Sequence, residues 1–165
     1  MYRRFYNNVN NGNVLQLYRS LFRPPHLEYP SPVWNPYKQK DIKHLENVER
    51  FALHMATKSW DSGYQDLLSM ADITSLESRR SQACLYMLFK IIHDLCFFPQ
   101  TMISTRSNLS QHTNRQLLLQ QPFAHSNACQ NLFIPNTVHA WNLLPESVIN
   151  LPFQHFKSTI NSYIP

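Results

Sequence analysis

A chain of 165 residues is long enough for one ordinary domain, or for one domain with a small appendage. Its hydrophobic content of 43% can fill a core, and only 15% of positions carry charge, giving a net +5. The two glycines, Gly12 and Gly63, exclude the glycine-rich loops of nucleotide-binding proteins and the strained elbows of hydrolases, since neither GxGxxG, GxxxxGK[ST] nor GxSxG occurs.

Taken in chain order, Val14, Leu17, Tyr18, Leu21 and Phe22 recur at helical spacing and predict a helix over 13–23. It must weaken at Pro24 and Pro25, because proline removes a backbone donor and restricts the residue before it. An extended segment follows, with Pro30, Pro32 and Pro36 spaced among Tyr29, Trp34 and Tyr37.

A second helix is predicted from about 38 to 58. Ile42, Leu45, Val48, Ala52, Met55 and Ala56 are expected on its apolar face, and Lys43, Glu46, Glu49 and Arg50 on a solvated one. Asp61-Ser62-Gly63 reads as a turn before a short helix ending near Met70. The segment "TSLE", 74 to 77, has the spacing of a capping box, with Thr74 as the cap and Glu77 reaching back. It opens the strongest helix, about 75 to 97, lined by Leu76, Ala83, Cys84, Met87, Leu88, Ile91, Ile92 and Leu95 and closed by Pro99. Lys90, His93 and Asp94 interrupt its apolar run, which makes it a buried helix and not a membrane span.

Residues 100 to 131 have little periodicity, with room for one short β-hairpin strand in 115–125. Ile134, Val138 and Trp141 then share a helical stripe stopped by Pro145. Pro152 suits the first turn of a last helix carrying Phe153, Phe156, Ile160 and Tyr163. The predicted fold is mostly α: a small helical bundle over 1–99, an irregular polar linker over 100–131, and a C-terminal helical pair over 132–165.

Charge and thiols bear on partners. No acid stands between Asp94 and Glu146, and Arg3, Arg4, Arg19 and Arg23 all precede the first acid, Glu28. Such stretches suit either a polyanion partner or a basic surface kept for solubility. Cys84, Cys96 and Cys129 form an odd set without CxxC spacing, expected as reduced and mostly buried thiols in an intracellular protein of cytoplasm or nucleus. His93 and Cys96 share a helix face without a second pair to complete a zinc site, so no metal or other cofactor is expected.

Several segments, in order, carry a family resemblance. "LYRSLFRPPHLEYPSPVWNPYKQKDIKHLENVERFAL", "TKSWDSGYQDLLSMADITSLESRR", "YMLFKIIHDLCFFP" and "QQPFAHSNACQNLFIPNTVHAWNLLPESVINLPFQHFK" resemble the region after the polymerase palm in non-LTR, LINE-like retrotransposon reverse transcriptases. The chain departs from that pattern in one extra residue at Pro24 or Pro25, in Pro30 where a small residue is usual, and in Asp94 at a glycine position. The resemblance implies a thumb-like helical region with the tail of such an enzyme, gripping the backbone of an RNA or DNA duplex. It also implies a proline corner wedged by Tyr29, Trp34 and Tyr37. The palm, with its adjacent aspartates for two metal ions, is not part of the likeness, and no two acidic residues adjoin anywhere here, so polymerisation is not expected.

On this reading the cations that meet phosphate are Arg79 and Arg80 first, at a helix N-terminus, then Arg19, Arg23, Lys38, Lys40, Lys43, Arg106 and Arg115. Each could instead be a solvated cation or a carboxylate partner, as Arg80 could be for Glu77. Trp141 reads as core or as a base-stacking residue, while Asn142 and Pro145 complete its recognisable motif. Alternative functions are a helical protein-interaction module and a decayed element remnant with no selected function.

Overall fold

In a computed structural model, the structure describes residues 15, 16, 18–20, 28, 31–99, 103, 104 and 118–163. The described fold is mostly helical: α1 Gln39–Thr57, α2 Tyr64–Met70, α3 Leu76–Ile92, α4 Asn127–Gln130, α5 Phe133–Leu143, α6 Glu146–Ile149 and α7 Phe153–Tyr163. The expected strand in 115–125 reduces to an isolated bridge residue, Leu119, beside which the Gln120 N–H donates to the Ser104 carbonyl at 2.8 Å. Among the described residues no helix is long and apolar enough to cross a membrane.

The chain divides into two compact units. One lies within Met1–Pro30 and Pro36–Arg80, the other within Ser31–Asn35 and Ser81–Pro165. This division differs from the expected breaks near 99 and 132, because Leu85, Leu88 and Phe89 of α3 share one core with residues from the C-terminal third.

In the first unit Tyr18, Leu53, Leu67, Leu68, Ala71 and Leu76 form the core. The buried stripe of α1 is Glu49, Leu53 and Ala56, flanked by Leu45 and Ala52, whereas Val48, expected inside, is exposed. The stripe is thus rotated from the expected one, and its centre is a carboxylate. Gly63 precedes α2, and its N–H donates to Asp66 Oδ2 at 3.2 Å, closing the turn at the helix start.

In the second unit Trp141, Phe156, Leu88 and Ile160 are fully enclosed, with the Phe89 ring tilted 34° against Phe156 at 4.5 Å between centres. Trp141 is therefore a core residue. Its neighbour Asn142 acts as a strand mimic: Oδ1 accepts from the Leu119 N–H at 3.1 Å and Nδ2 donates to the Leu119 carbonyl at 3.0 Å. That pair satisfies an otherwise irregular backbone and pins Leu119 into the core. Pro145 is the N-cap residue of α6, where the missing N–H costs nothing. Burial and no other cause pushes the Tyr86 phenol up to about 12. Its hydroxyl donates to Asn161 Oδ1 at 2.6 Å.

Helix ends show how a chain so poor in glycine turns. α2 and α3 both exit through a Schellman pattern. The Ile73 N–H reaches the Leu68 carbonyl at 3.0 Å and the Leu95 N–H the Lys90 carbonyl at 2.8 Å. The left-handed residues are Asp72 (φ 49) and Asp94 (φ 54), and Lys58 (φ 57) serves α1 likewise. Short polar Asp tolerates this region better than most residues but not as well as glycine. α3 accordingly ends at Ile92, earlier than Pro99 suggests.

The start of α3 also differs from expectation. Ser75, not Thr74, is the cap: its Oγ accepts from the Ser78 N–H at 3.2 Å. Glu77 does not close a box. Its own N–H instead donates to Glu46 Oε1 of α1 at 2.8 Å. The thiols are free but not mostly buried: Cys84 is buried, Cys96 intermediate and Cys129 exposed.

Two outcomes test these ends. Ser75→Ala should lower stability by about 1 kcal/mol in urea unfolding, with Thr74→Ala nearly silent, because only Ser75 satisfies a helix N–H. Asp94→Gly should exceed Asp94→Ala in stability by roughly 1 kcal/mol, since a Cβ without a polar group only adds strain at positive φ.

Candidate nucleic-acid interface

The two arginines expected to grip phosphate lie inside. Arg79 is 6% exposed and Arg80 2% exposed. The Arg79 guanidinium donates to Glu49 Oε1, to Glu28 Oε1 at 2.6 Å and to the Thr74 carbonyl. Of the two readings open for it in sequence, the carboxylate partner is the one observed. The partners are Glu49 and Glu28, thirty and fifty-one residues away.

Glu49 is the fully buried centre of this cluster, 0% exposed. Beside Arg79 it accepts from the Tyr18 hydroxyl at 3.0 Å and from the Tyr64 hydroxyl at 2.9 Å. The Tyr64 hydroxyl also contacts Glu46 Oε2. A phenol carries one proton, so Tyr64 serves one carboxylate at a time. Burial foremost, then the Glu46 hydrogen bond and the charges of Glu49 and Glu46, hold the Tyr64 phenol well above its ordinary range. Burial alone would lower the Arg79 guanidinium, but the Glu49 and Glu28 carboxylates outweigh it and raise it further. No described buried side-chain nitrogen or oxygen lacks a hydrogen bond.

The cluster is therefore a satisfied structural network that ties α1 to the first turns of α2 and α3. The expectation that Glu46 and Glu49 occupy a solvated face fails for a simple reason. Leu45, Ala52, Leu53 and Ala56 share one side of a helix wheel, and Glu49 sits in its middle. That signal was present in the spacing of the sequence.

The remaining candidates separate cleanly. Arg19 is exposed, but its guanidinium donates to the Ala71 carbonyl at the end of α2, where a cation complements the helix dipole. Lys38, Lys40 and Lys43 are exposed, and Lys38 Nζ lies 5.9 Å from the Tyr37 ring centre. Arg23, Arg106, Arg115 and Tyr29 lie outside the described residues. Trp34 and Tyr37 are each 43% exposed, so neither is enclosed as the proline corner was expected to require.

With its inner face committed, α1 turns Lys40, Lys43, His44, Asn47, Val48, Arg50 and Phe51 outward. Asp41 is the one carboxylate of α1 in the exposed class, because Glu49 is buried and Glu46 half-buried. Just past the helix, Trp60 is stacked on His54 with ring centres 5.3 Å apart. Neither Arg50 nor Trp60 was a site candidate in the sequence. Arg50 at i+7 from Lys43 was the legible sign. Among the described residues no three His, Cys, Asp or Glu side chains come together as a metal site.

Replacing Glu49 by Leu should destabilise the fold by about 3–5 kcal/mol, because Arg79 would then be a buried charge short of its main partner. Adding Arg79→Met should recover most of that loss. Urea unfolding of both single variants and the double variant measures the coupling.

Compared with protein families, curated proteins and solved structures, the chain matches none of them.

Proposed function

We propose that this chain is a non-catalytic, thumb-like part of a LINE-like reverse transcriptase, and that it holds the backbone of a nucleic-acid duplex through the outer face of α1. The observation that carries the proposal is charge sorting on one helix. Lys40, Lys43 and Arg50 face solvent while the glutamates of α1 are withdrawn into the interior cluster. A cationic face with few acids attracts phosphate without reading sequence.

Two further observations support the family reading. Asp94 stands at the glycine position of the family pattern and adopts a left-handed φ of 54, where glycine is the favoured residue. Trp141 and Asn142 of the "AWNLLP" motif serve packing and backbone clamping, roles that need no catalysis. Chemistry of the parent kind calls for paired carboxylates around two metal ions, and no acidic residues adjoin in this chain.

A second reading, a protein-interaction module, draws on Leu95, Phe97, Phe123, Leu132 and Leu143, which stand exposed in the second unit. Self-association in sedimentation without nucleic acid separates it from the first.

Binding to a short duplex should weaken steeply with salt. Three phosphate contacts predict a log–log slope of roughly −3, and Lys40→Gln or Lys43→Gln should each reduce its magnitude by about 1. Absence of binding at low salt, or a slope unaffected by both substitutions, overturns the proposal.

A further inference from the structure

The C-terminal end of α1 is built as an aromatic shelf. Lys58 takes a left-handed φ of 57 and reverses the chain, which returns Trp60 over the last turn of the helix. The indole lies nearly parallel to the His54 imidazole, at 8° and 5.3 Å, and meets the Phe51 ring edge-on at 6.0 Å. His54 is itself fixed from both sides. Its Nδ1 lies 2.5 Å from the Ser59 carbonyl, and Nε2 accepts from Arg50 Nε at 3.3 Å. With Arg50 donating to Nε2, the proton of the neutral ring sits on Nδ1 and is given to Ser59. The loop is closed again by Ser59 Oγ and Ser62 Oγ, 2.6 Å apart.

A tryptophan held this way would be expected to bury itself if its role were only to close the helix end. Instead Trp60 is 53% exposed and Phe51 58% exposed. The indole is backed by imidazole and oriented before any ligand arrives, so little side-chain entropy is left to lose on binding. From His54 back to Lys43 the helix rises roughly 16 Å, and along it Arg50, Asn47 and Lys43 share one side. Exposed Asp61 adjoins Trp60 at the other end and repels phosphate there. Aromatic faces beside a line of cations match single-stranded nucleic acid, in which bases are free to stack while the backbone follows positive charge.

We infer that Trp60, with Phe51 at its edge, is a stacking platform for an unpaired nucleobase whose strand runs its phosphates away from Asp61 along Arg50, Lys43 and Lys40. The inference rests on the phosphate-binding reading of α1 and adds a strand type to it. A duplex hides its base faces, so the shelf gives the same helix a preference for single strands or for the unpaired end of a duplex.

The test uses the full chain with oligothymidine and oligouridine of roughly twelve nucleotides, and with a blunt duplex, all at low salt. Trp60→Leu, which keeps apolar bulk without a π-face, should weaken both single strands at least about fivefold while leaving blunt-duplex affinity unchanged. Trp60→Phe should restore most of the loss and guards against a folding defect, which circular dichroism and the urea midpoint detect. Equal losses for DNA and RNA assign recognition to the base face alone, whereas loss for one of them assigns the shelf to that strand. Single-strand affinity unchanged in Trp60→Leu overturns the platform while the salt-dependent duplex binding stands. Failure of every strand to bind at low salt overturns both.

Discussion

A carboxylate sealed from water has to be met by donors, and three reach Glu49, one of them shared with Glu46. Arg79 supplies charge, and Tyr18 and Tyr64 supply hydroxyls. An uncompensated charge at that depth would cost several kcal/mol, so the position of α1 against the starts of α2 and α3 is tied to keeping all three donors in place. The pair is not a large source of stability in itself, since well-packed apolar residues can replace such pairs without loss. Its effect is selective: a slipped register of α1 would strand Glu49 or Arg79.

The same constraint sorts charge. Every glutamate of α1 is drawn inward or toward the N-terminus of α3, where the Glu77 N–H meets Glu46 and a carboxylate complements the helix dipole. The charge that remains outside on α1 is cationic, relieved only by Asp41, with Asn47, Val48 and Phe51 exposed beside it. The interior network and the outer face are two consequences of one arrangement. Arg79 shapes that outer face indirectly, by holding the Glu49 carboxylate inside.

The backbone solves a second problem with scarce means. Lys58, Asp72 and Asp94 take the left-handed positions at helix exits that glycine usually fills. Each carries some strain, offset by the paired carbonyls of the turn at Asp72 and Asp94. In the second unit Asn142 plays a comparable part, using a side-chain amide where a strand partner would otherwise be needed.

The existence and order of the long helices, and the enclosed stripe of Val138, Trp141, Phe156 and Ile160, were legible in the sequence because apolar spacing of three and four is a local property. So was the scarcity of acids near the basic segments. Which way α1 faces was legible in its spacing, since Val48 lies about 100° round the wheel from Glu49 and the side shared by Leu45, Ala52, Leu53 and Ala56 centres on Glu49. That a carboxylate could be accepted there depended on Arg79 reaching it from α3. The fate of Arg79 depended on Glu28 and Glu49, residues far away along the chain, and no local pattern announces a long-range ion pair. Ser75 prevailed over Thr74 as cap for a related reason: the carboxylate of Glu46 reached the Glu77 N–H from another helix, and a contact between helices exists only once the chain has folded.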